Sequence, residues 1–159
     1  MKKISISVIN DLVTDQRLQR MVYTLQQEDA HVEVWGRRLR QSLPMPAVSY
    51  RYHRVSMVFT RGFLFYAFYN IRLFLALLFS ARRDLLVSID LDTLPANYLV
   101  ARLRGIPLLY DSHEYFTEVP ELVARPGVKR FWKRMERWIV PRLEYGVTVS
   151  PSIARAYQE

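Results

Sequence analysis

The sequence predicts an α/β domain of three layers, with helices on both faces of a mainly parallel sheet. Two observations carry that prediction. Short apolar runs of strand length alternate along the whole chain with longer stretches of helical spacing, the pattern of βαβ units. The run from Ile106 to Asp111, apolar enough for a strand buried on both faces, turns abruptly into Asp111-Ser112-His113-Glu114. A buried strand therefore delivers titratable groups to its carboxyl end. In a parallel sheet every strand ends on the same edge, and ligands bind in the crevice outside it.

Each element has its own signal. Lys3 to Ile9 alternates Ile4, Ile6 and Val8 with Ser5 and Ser7, as a strand does. Asn10 to Asp15 breaks the alternation, and Thr14 is the expected N-cap of a helix carrying Leu18, Met21, Val22 and Leu25. His31 to Trp35 is a second strand, closed by Gly36-Arg37, which completes a right-handed βαβ unit. Pro44 and Pro46 mark residues 38 to 48 as a loop, and Val48 to Val55 is a weaker third strand. Met57 to Phe79 is the most apolar stretch, but Arg61, Asn70 and Arg72 interrupt it, so it is expected to pack on the sheet rather than span a bilayer. Arg61, Arg72 and Arg83 are equally spaced, which aligns them on one helical face near Phe65, Phe68 and Tyr69. Such a face suits a bilayer interface or solvent with snorkelling arginines.

Asp84 to Ile89 is the fourth strand, followed by Asp90, Leu91 and Asp92. Thr93 and Pro95 then start a helix through Leu99, Val100 and Leu103 that Gly105 ends. After the strand Ile106 to Asp111 comes a polar loop with Glu118, Pro120, Glu121 and Pro126-Gly127. Val128 to Tyr145 is helical, with Pro141 as a kink or end, and Gly146 to Val149 is a sixth strand. Ser150-Pro151-Ser152 caps a helix cut short at Glu159, as expected if the parent protein is longer.

Composition narrows the function. With 159 residues, half of them apolar, the chain is one domain with a sizeable core. It has no cysteine, which excludes a disulfide framework, thiolate catalysis and cysteine-bound zinc. Lys and Arg outnumber Asp and Glu by 23 to 15, a net charge of +8 that favours an anionic partner. Met1-Lys2-Lys3-Ile4 imitates a signal peptide, but polar residues follow within ten positions and no small-residue cleavage pattern appears. A cytosolic start is expected.

The strand ends collect Asn10, Asp11 and Thr14; Arg37; Asp90 and Asp92; Asp111, His113 and Glu114; and Ser150. Carboxylates suit sugar hydroxyls, and helix starts and basic groups suit phosphate. Among five glycines there is no Gly-x-Gly, so neither a dinucleotide fingerprint nor a P-loop is present. His113 has three readings: a general base, a donor to a sugar or leaving phosphate, or a loop histidine satisfied by its neighbours. Asp90, Asp92, Asp111 and Glu114 are of the type that binds a hard divalent metal, yet Asp92 serves equally as an N-cap and Asp90 as a partner for nearby amides, so no metal is expected.

On the helix after Pro126, Lys129, Arg130, Lys133, Arg134 and Arg137 form a basic face. Phe131, Met135 and Trp138 form the apolar one, with Trp132 at the boundary. These six basic and boundary residues, Trp132 included, are candidates for anionic headgroups. The plainer reading is an amphipathic helix packed on the sheet. Nucleic acid is not expected, because a single tryptophan is a thin stacking platform.

Together these motifs resemble a known family. Asp90-Leu-Asp-Thr-Leu-Pro-Ala, Arg104-Gly-Ile-Pro-Leu-Leu-Tyr-Asp-Ser-His-Glu, Glu118-Val-Pro-Glu, the Arg/Trp-rich helix and Val147-Thr-Val-Ser-Pro-Ser-Ile-Ala are similar to the N-terminal domain of family 4 glycosyltransferases of the GT-B fold. The resemblance implies a Rossmann-like acceptor-side domain over residues 1–159, facing a C-terminal donor-binding domain that this chain lacks. It implies retaining transfer from a nucleotide-sugar donor to a glycan or lipid-linked acceptor, without a cofactor or metal. Joined to the basic face of the helix after Pro126, it gives the expectation of a protein peripheral on the inner face of the plasma membrane. By position, His113 matches the family's histidine that faces the donor sugar. Asn10, Asp11, Thr14 and Arg17 replace the glycine-rich first loop of relatives, and with Asp90, Asp92, Asp111 and Glu114 they are the expected substrate contacts. The domain alone is expected to be inactive. The rival expectation is a non-catalytic Rossmann-like module that recruits an anionic membrane or partner protein, which would have no use for His113 and its carboxylates.

Overall fold

A computed structural model describes residues 1–119 and 125–158. Six strands form one all-parallel sheet in the order β3-β2-β1-β4-β5-β6. The strands are β1 (Lys3–Asp11), β2 (His31–Arg38), β3 (Arg51–Ser56), β4 (Leu85–Ile89), β5 (Leu108–Ser112) and β6 (Tyr145–Thr148). The helices are α1 (Gln16–Gln27), α2 (Phe63–Phe79), α3 (Leu94–Arg104), α4 (Pro126–Ile139) and α5 (Pro151–Gln158). Strand order reverses between β1 and β4, which opens a crevice at their carboxyl ends.

Two separate apolar clusters make the three layers. Ile4, Ile6 and Val8 pack with Leu18 and Val22 of α1 on one face of the sheet. On the other face, Tyr69, Leu73 and Leu77 of α2 meet Val100 of α3 and Trp132 and Ile139 of α4. The serines that alternate along β1 are buried too, because their face is covered by α2 and α3. Their small size lets polar groups come close: Trp35 Nε1 donates to Ser5 Oγ at 3.1 Å, and Ser7 Oγ donates to Asn97 Oδ1 at 3.2 Å.

At the end of β1 the register with β2 shifts between Ser7 and Asp11. Leu12, fully buried, crosses directly over Gly36, where a Cβ would stand 2.4 Å from Leu12 Cδ2 and 3.1 Å from the Asn10 carbonyl oxygen. Gly36 thus permits the close approach that carries Asp11 to the sheet edge.

Several boundaries correct the sequence reading. Asp15, not Thr14, caps α1: its Oδ1 accepts the Leu18 N–H at 2.9 Å, while the Thr14 hydroxyl turns back to the Asp11 carbonyl. Both residue types are good caps, and the longer reach of aspartate wins here. The third strand starts at Arg51 rather than Val48. In the apolar stretch the helix starts only at Phe63, after Gly62 at φ +78°. Arg61 therefore precedes α2 and Arg83 follows it, so the three evenly spaced arginines share no helical face. Phe65 and Tyr69 face the core, and the Tyr69 hydroxyl donates to the Val8 carbonyl at 2.7 Å. No helix among the described residues is long and apolar enough to cross a membrane.

The α4 helix ends at Ile139, because Pro141 forces a 3-10 turn over Val140–Arg142. Its buried face is Trp132, Glu136 and Ile139, whereas Phe131 and Trp138 are exposed, so the stripe is rotated from the expected one. Trp132 is 2 % exposed, with its ring against Tyr66, Phe116 and Phe131, and cannot face headgroups. Ser150 caps α5 as expected, its Oγ accepting the Ile153 N–H. The expectations at Pro120, Glu121 and Glu159 lie outside the described residues.

Candidate functional site

The strand edge at the β1/β4 switch is held by a continuous chain of charged side chains. β4 ends at Ile89, and Asp90 follows with φ +59°, a left-handed conformation that is uncommon outside glycine and that aspartate tolerates. This twist aims its carboxylate at the next strand end, where Oδ1 accepts the His113 N–H at 2.8 Å. The His113 Nε2 stands 3.0 Å from Asp111 Oδ2. Its Nδ1 lies 3.7 Å from Asp90 Oδ2, beyond hydrogen-bonding distance. Arg17, reaching across from α1, donates to Asp111 Oδ1 at 3.3 Å. Asp111 is fixed from both sides and His113 is fixed by Asp111, while the His113 Nδ1 makes no hydrogen bond among the described residues.

Burial pushes the Asp90 carboxyl up to about 6; the His113 amide and imidazole oppose the rise, and the Glu114 and Asp111 carboxylates add to it. Asp92 lies deeper and is raised well above the usual carboxylate range by burial, Asp90 and Glu114. One of its carboxyl oxygens is buried without a hydrogen-bond partner among the described residues. It lies beneath the edge, 6 % exposed, and is not open to a sugar in this arrangement. Nor does it cap α3, whose N-cap is Thr93. Glu114 is exposed beside His113.

The first loop is organised around Asp11. Arg54 Nη2 donates to both of its oxygens, at 3.1 and 3.3 Å, and the Val13 N–H donates to Oδ1 at 3.3 Å. Burial raises this carboxyl, but hydrogen bonds from Ser42 and Val13 and the guanidiniums of Arg54 and Arg37 outweigh it and leave the group below its ordinary value. Asn10 donates to Asp15 Oδ2 at 3.1 Å. Asp11 and Thr14 thus shape the loop, whereas Arg17 belongs to the histidine array.

Arg37 was legible at its strand end, but Arg54 was not, since an arginine inside a charged strand carries no spacing signal. Asn70 was visible only as an interruption of an apolar run; it donates to the Asp92 carbonyl at 2.7 Å and accepts the Ala96 N–H at 3.2 Å, joining α2 to the start of α3. No group of three or more histidine or acidic side chains among the described residues is placed to hold a metal. On α4, Lys129 and Lys133 both pair with Glu118, at 2.5 and 2.7 Å, while Arg130, Arg134 and Arg137 are exposed.

A family model described as a glycosyl transferase 4-like domain matches residues 14–159. Among solved structures, the chain is similar to SsfS6, a glycosyltransferase from Streptomyces sp. SF2575, with a TM-score of 0.55 and 15 % identity over 95 % of this chain and 51 % of that one. It is also similar to UDP-GlcNAc 2-epimerase from Methanocaldococcus jannaschii, with a TM-score of 0.53 and 15 % identity over 98 % of this chain and 40 % of that one. The chain thus spans about half the length or less of these structures. Likeness at this identity establishes the fold. No curated protein matches the chain.

Proposed function

Since the chain belongs to the glycosyl transferase 4-like family, we propose that it is the acceptor-side half of a retaining, metal-independent glycosyltransferase that works with a separate donor-binding domain. The donor is a nucleotide-sugar and the acceptor a glycan or lipid-linked hydroxyl. The observation that carries this reading is the Arg17–Asp111–His113–Asp90 array at the crevice edge. Arg17 holds Asp111, Asp111 holds the imidazole through Nε2, and Nδ1 remains for a hydrogen bond that orients the transferred sugar beside its leaving phosphate. The Asp90 carboxylate, ionised above about pH 6, and the exposed Glu114 accept sugar hydroxyls. Preorganised groups aimed at developing charge contribute most of such a rate enhancement. In protein carrying both domains, His113→Ala is expected to lower kcat for sugar transfer about a hundredfold with the fold retained. Transfer at the parent rate would remove His113 from the chemistry.

The reading includes peripheral attachment to the inner face of the plasma membrane. Support comes from the exposed Arg130, Arg134 and Arg137 on α4, and from α2, whose outer side leaves Leu64, Ile71, Leu75 and Phe79 exposed beside Arg72. Apolar side chains flanked by arginines suit the headgroup boundary of an anionic bilayer. Replacing the three α4 arginines with glutamine is expected to weaken binding to anionic vesicles about a hundredfold at low salt, at about 1 kcal/mol per basic residue. Equal binding of the parent protein to neutral vesicles at high salt would overturn this attachment.

A further inference from the structure

On the side of the sheet covered by α2 and α4, a cavity of about 490 Å³ reaches the carboxyl end of β2 at Arg37. Three arginines line it from three different places in the chain: Arg37 at the carboxyl end of β2, Arg61 ahead of α2 and Arg125 ahead of α4. The rest of the wall is largely aromatic, with Phe63 and Phe131 edge to face at 5.5 Å and Trp132 behind them. Arg37 stacks 5.7 Å from the Phe65 ring, and its charge favours the ionised carboxylates of both Asp11 and Asp92.

Two independent observations point to an anion among these arginines. The Arg37 Nε is buried without a hydrogen-bond partner among the described residues, a donor whose desolvation nothing in the described structure offsets. The α2 and α4 helices both start at the cavity wall, and neither start has a side-chain cap, so free N–H groups and positive helix ends add to the guanidiniums. A bare phosphate would use the arginines and leave the aromatic wall wet. A nucleoside would find only the Thr60 and Tyr66 hydroxyls for its several sugar hydroxyls and would leave much of the apolar wall uncovered. An apolar chain ending in phosphate uses both, and Phe63 and Phe131 at the wall are exposed to receive it.

We propose that this cavity binds the phosphorylated end of an amphiphile, a phosphate or pyrophosphate on an apolar chain, and so presents a lipid-linked acceptor to the edge. The acceptor role rests on the transferase reading; the binding does not. The test is titration of the purified protein with farnesyl diphosphate, followed by calorimetry and by tryptophan fluorescence. Inorganic pyrophosphate, farnesol and UDP are the comparison arms. Farnesyl diphosphate is expected to bind about tenfold or more tighter than each of the three, and Arg61→Gln to weaken it about tenfold through loss of one charge-assisted contact. Arg61 is exposed and lies outside the helices and strands, so Arg61→Gln is expected to leave the melting temperature unchanged. Pyrophosphate binding as tightly would make this a free-anion site, farnesol as tightly a merely apolar one, and UDP more tightly a nucleotide site; each overturns the proposal, as does an unaffected Arg61→Gln. Farnesyl diphosphate binding together with no transferase activity in protein carrying both domains would keep this inference and remove the other reading.

Discussion

Glu33→Ala is expected to destabilise the domain by about 3 kcal/mol, the largest single loss outside the apolar core. Glu33 sits on β2, 5 % exposed, and closes an ion cluster with Arg83 Nη2 and with His53 Nε2 at 2.7 Å. Removal of the carboxylate strands the Arg83 guanidinium, whose side chain is only 10 % exposed, in a site that cannot hydrate it. His53 softens the cost because its side chain is 42 % exposed and stacks on Trp35 at 4.0 Å. Burial raises the Glu33 carboxyl, but hydrogen bonds and charge from His53 and Arg83 more than reverse this and hold it below its ordinary 4.5. Its folded pKa is depressed, so its contribution is complete above the unfolded pKa and fades as pH falls through the folded one. Thermal unfolding should show a loss of about 6–12 °C at pH 7 that shrinks below pH 4.5. Arg83→Ala made in the Glu33→Ala background should cost little more. A loss under about 1 kcal/mol at pH 7 would mean that the cluster stays hydrated.

This cluster also shows where sequence reading stops. The six strands and five helices were legible because each carries its own local period, and the ligand-binding edge followed from parallel topology, but its crevice between β1 and β4 needed the strand order. Register and pairing were not. Glu33 stands in an apolar strand as an isolated charge, and its partners arrive from positions 53 and 83, twenty and fifty residues away. The even spacing of Arg61, Arg72 and Arg83 implied a shared face only on the premise that one helix runs through all three. Gly62 and Ser80, at either end of α2, break that premise. The rotation of the α4 stripe has a similar cause. Either Phe131 or Trp132 can face inward by period, and the ring cluster of Tyr66 and Phe116, contributed by other elements, selects Trp132.

For the candidate site, residue types at strand ends located His113, Asp90 and Asp111 together. They did not separate Asp90 from Asp92, two residues apart, of which one reaches the edge and the other is buried beneath it. That separation comes from the left-handed backbone at Asp90, which no propensity at an Asp-Leu-Asp sequence predicts. Arg17 was read as part of the first loop, yet its long side chain reaches from the first turn of α1 to Asp111 at the end of β5 and joins the histidine array.

Asp90→Asn is expected to stabilise the domain by up to about 3 kcal/mol at pH 7.5, while it weakens any hold on a sugar hydroxyl or on His113. The Asp90 carboxyl titrates at about 6 in the folded chain, against 3.8 when free, chiefly because it is buried. Its folded pKa is raised, so between those values the native state binds the proton more tightly than the unfolded chain does. Stability falls as pH rises across that window, and the penalty is constant above it. Asparagine removes the charge, tolerates φ +59° and can still accept the His113 N–H through its carbonyl oxygen. The gain should therefore be present at pH 7.5 and nearly gone by pH 4, measured by urea unfolding at each pH. A gain independent of pH would trace to something other than the buried charge, and a net loss at pH 7.5 would show that the carboxylate's hold on the His113 loop outweighs its desolvation. The expected pattern is that of a group retained at a cost to the fold, as stability–function trade-offs at binding sites would give.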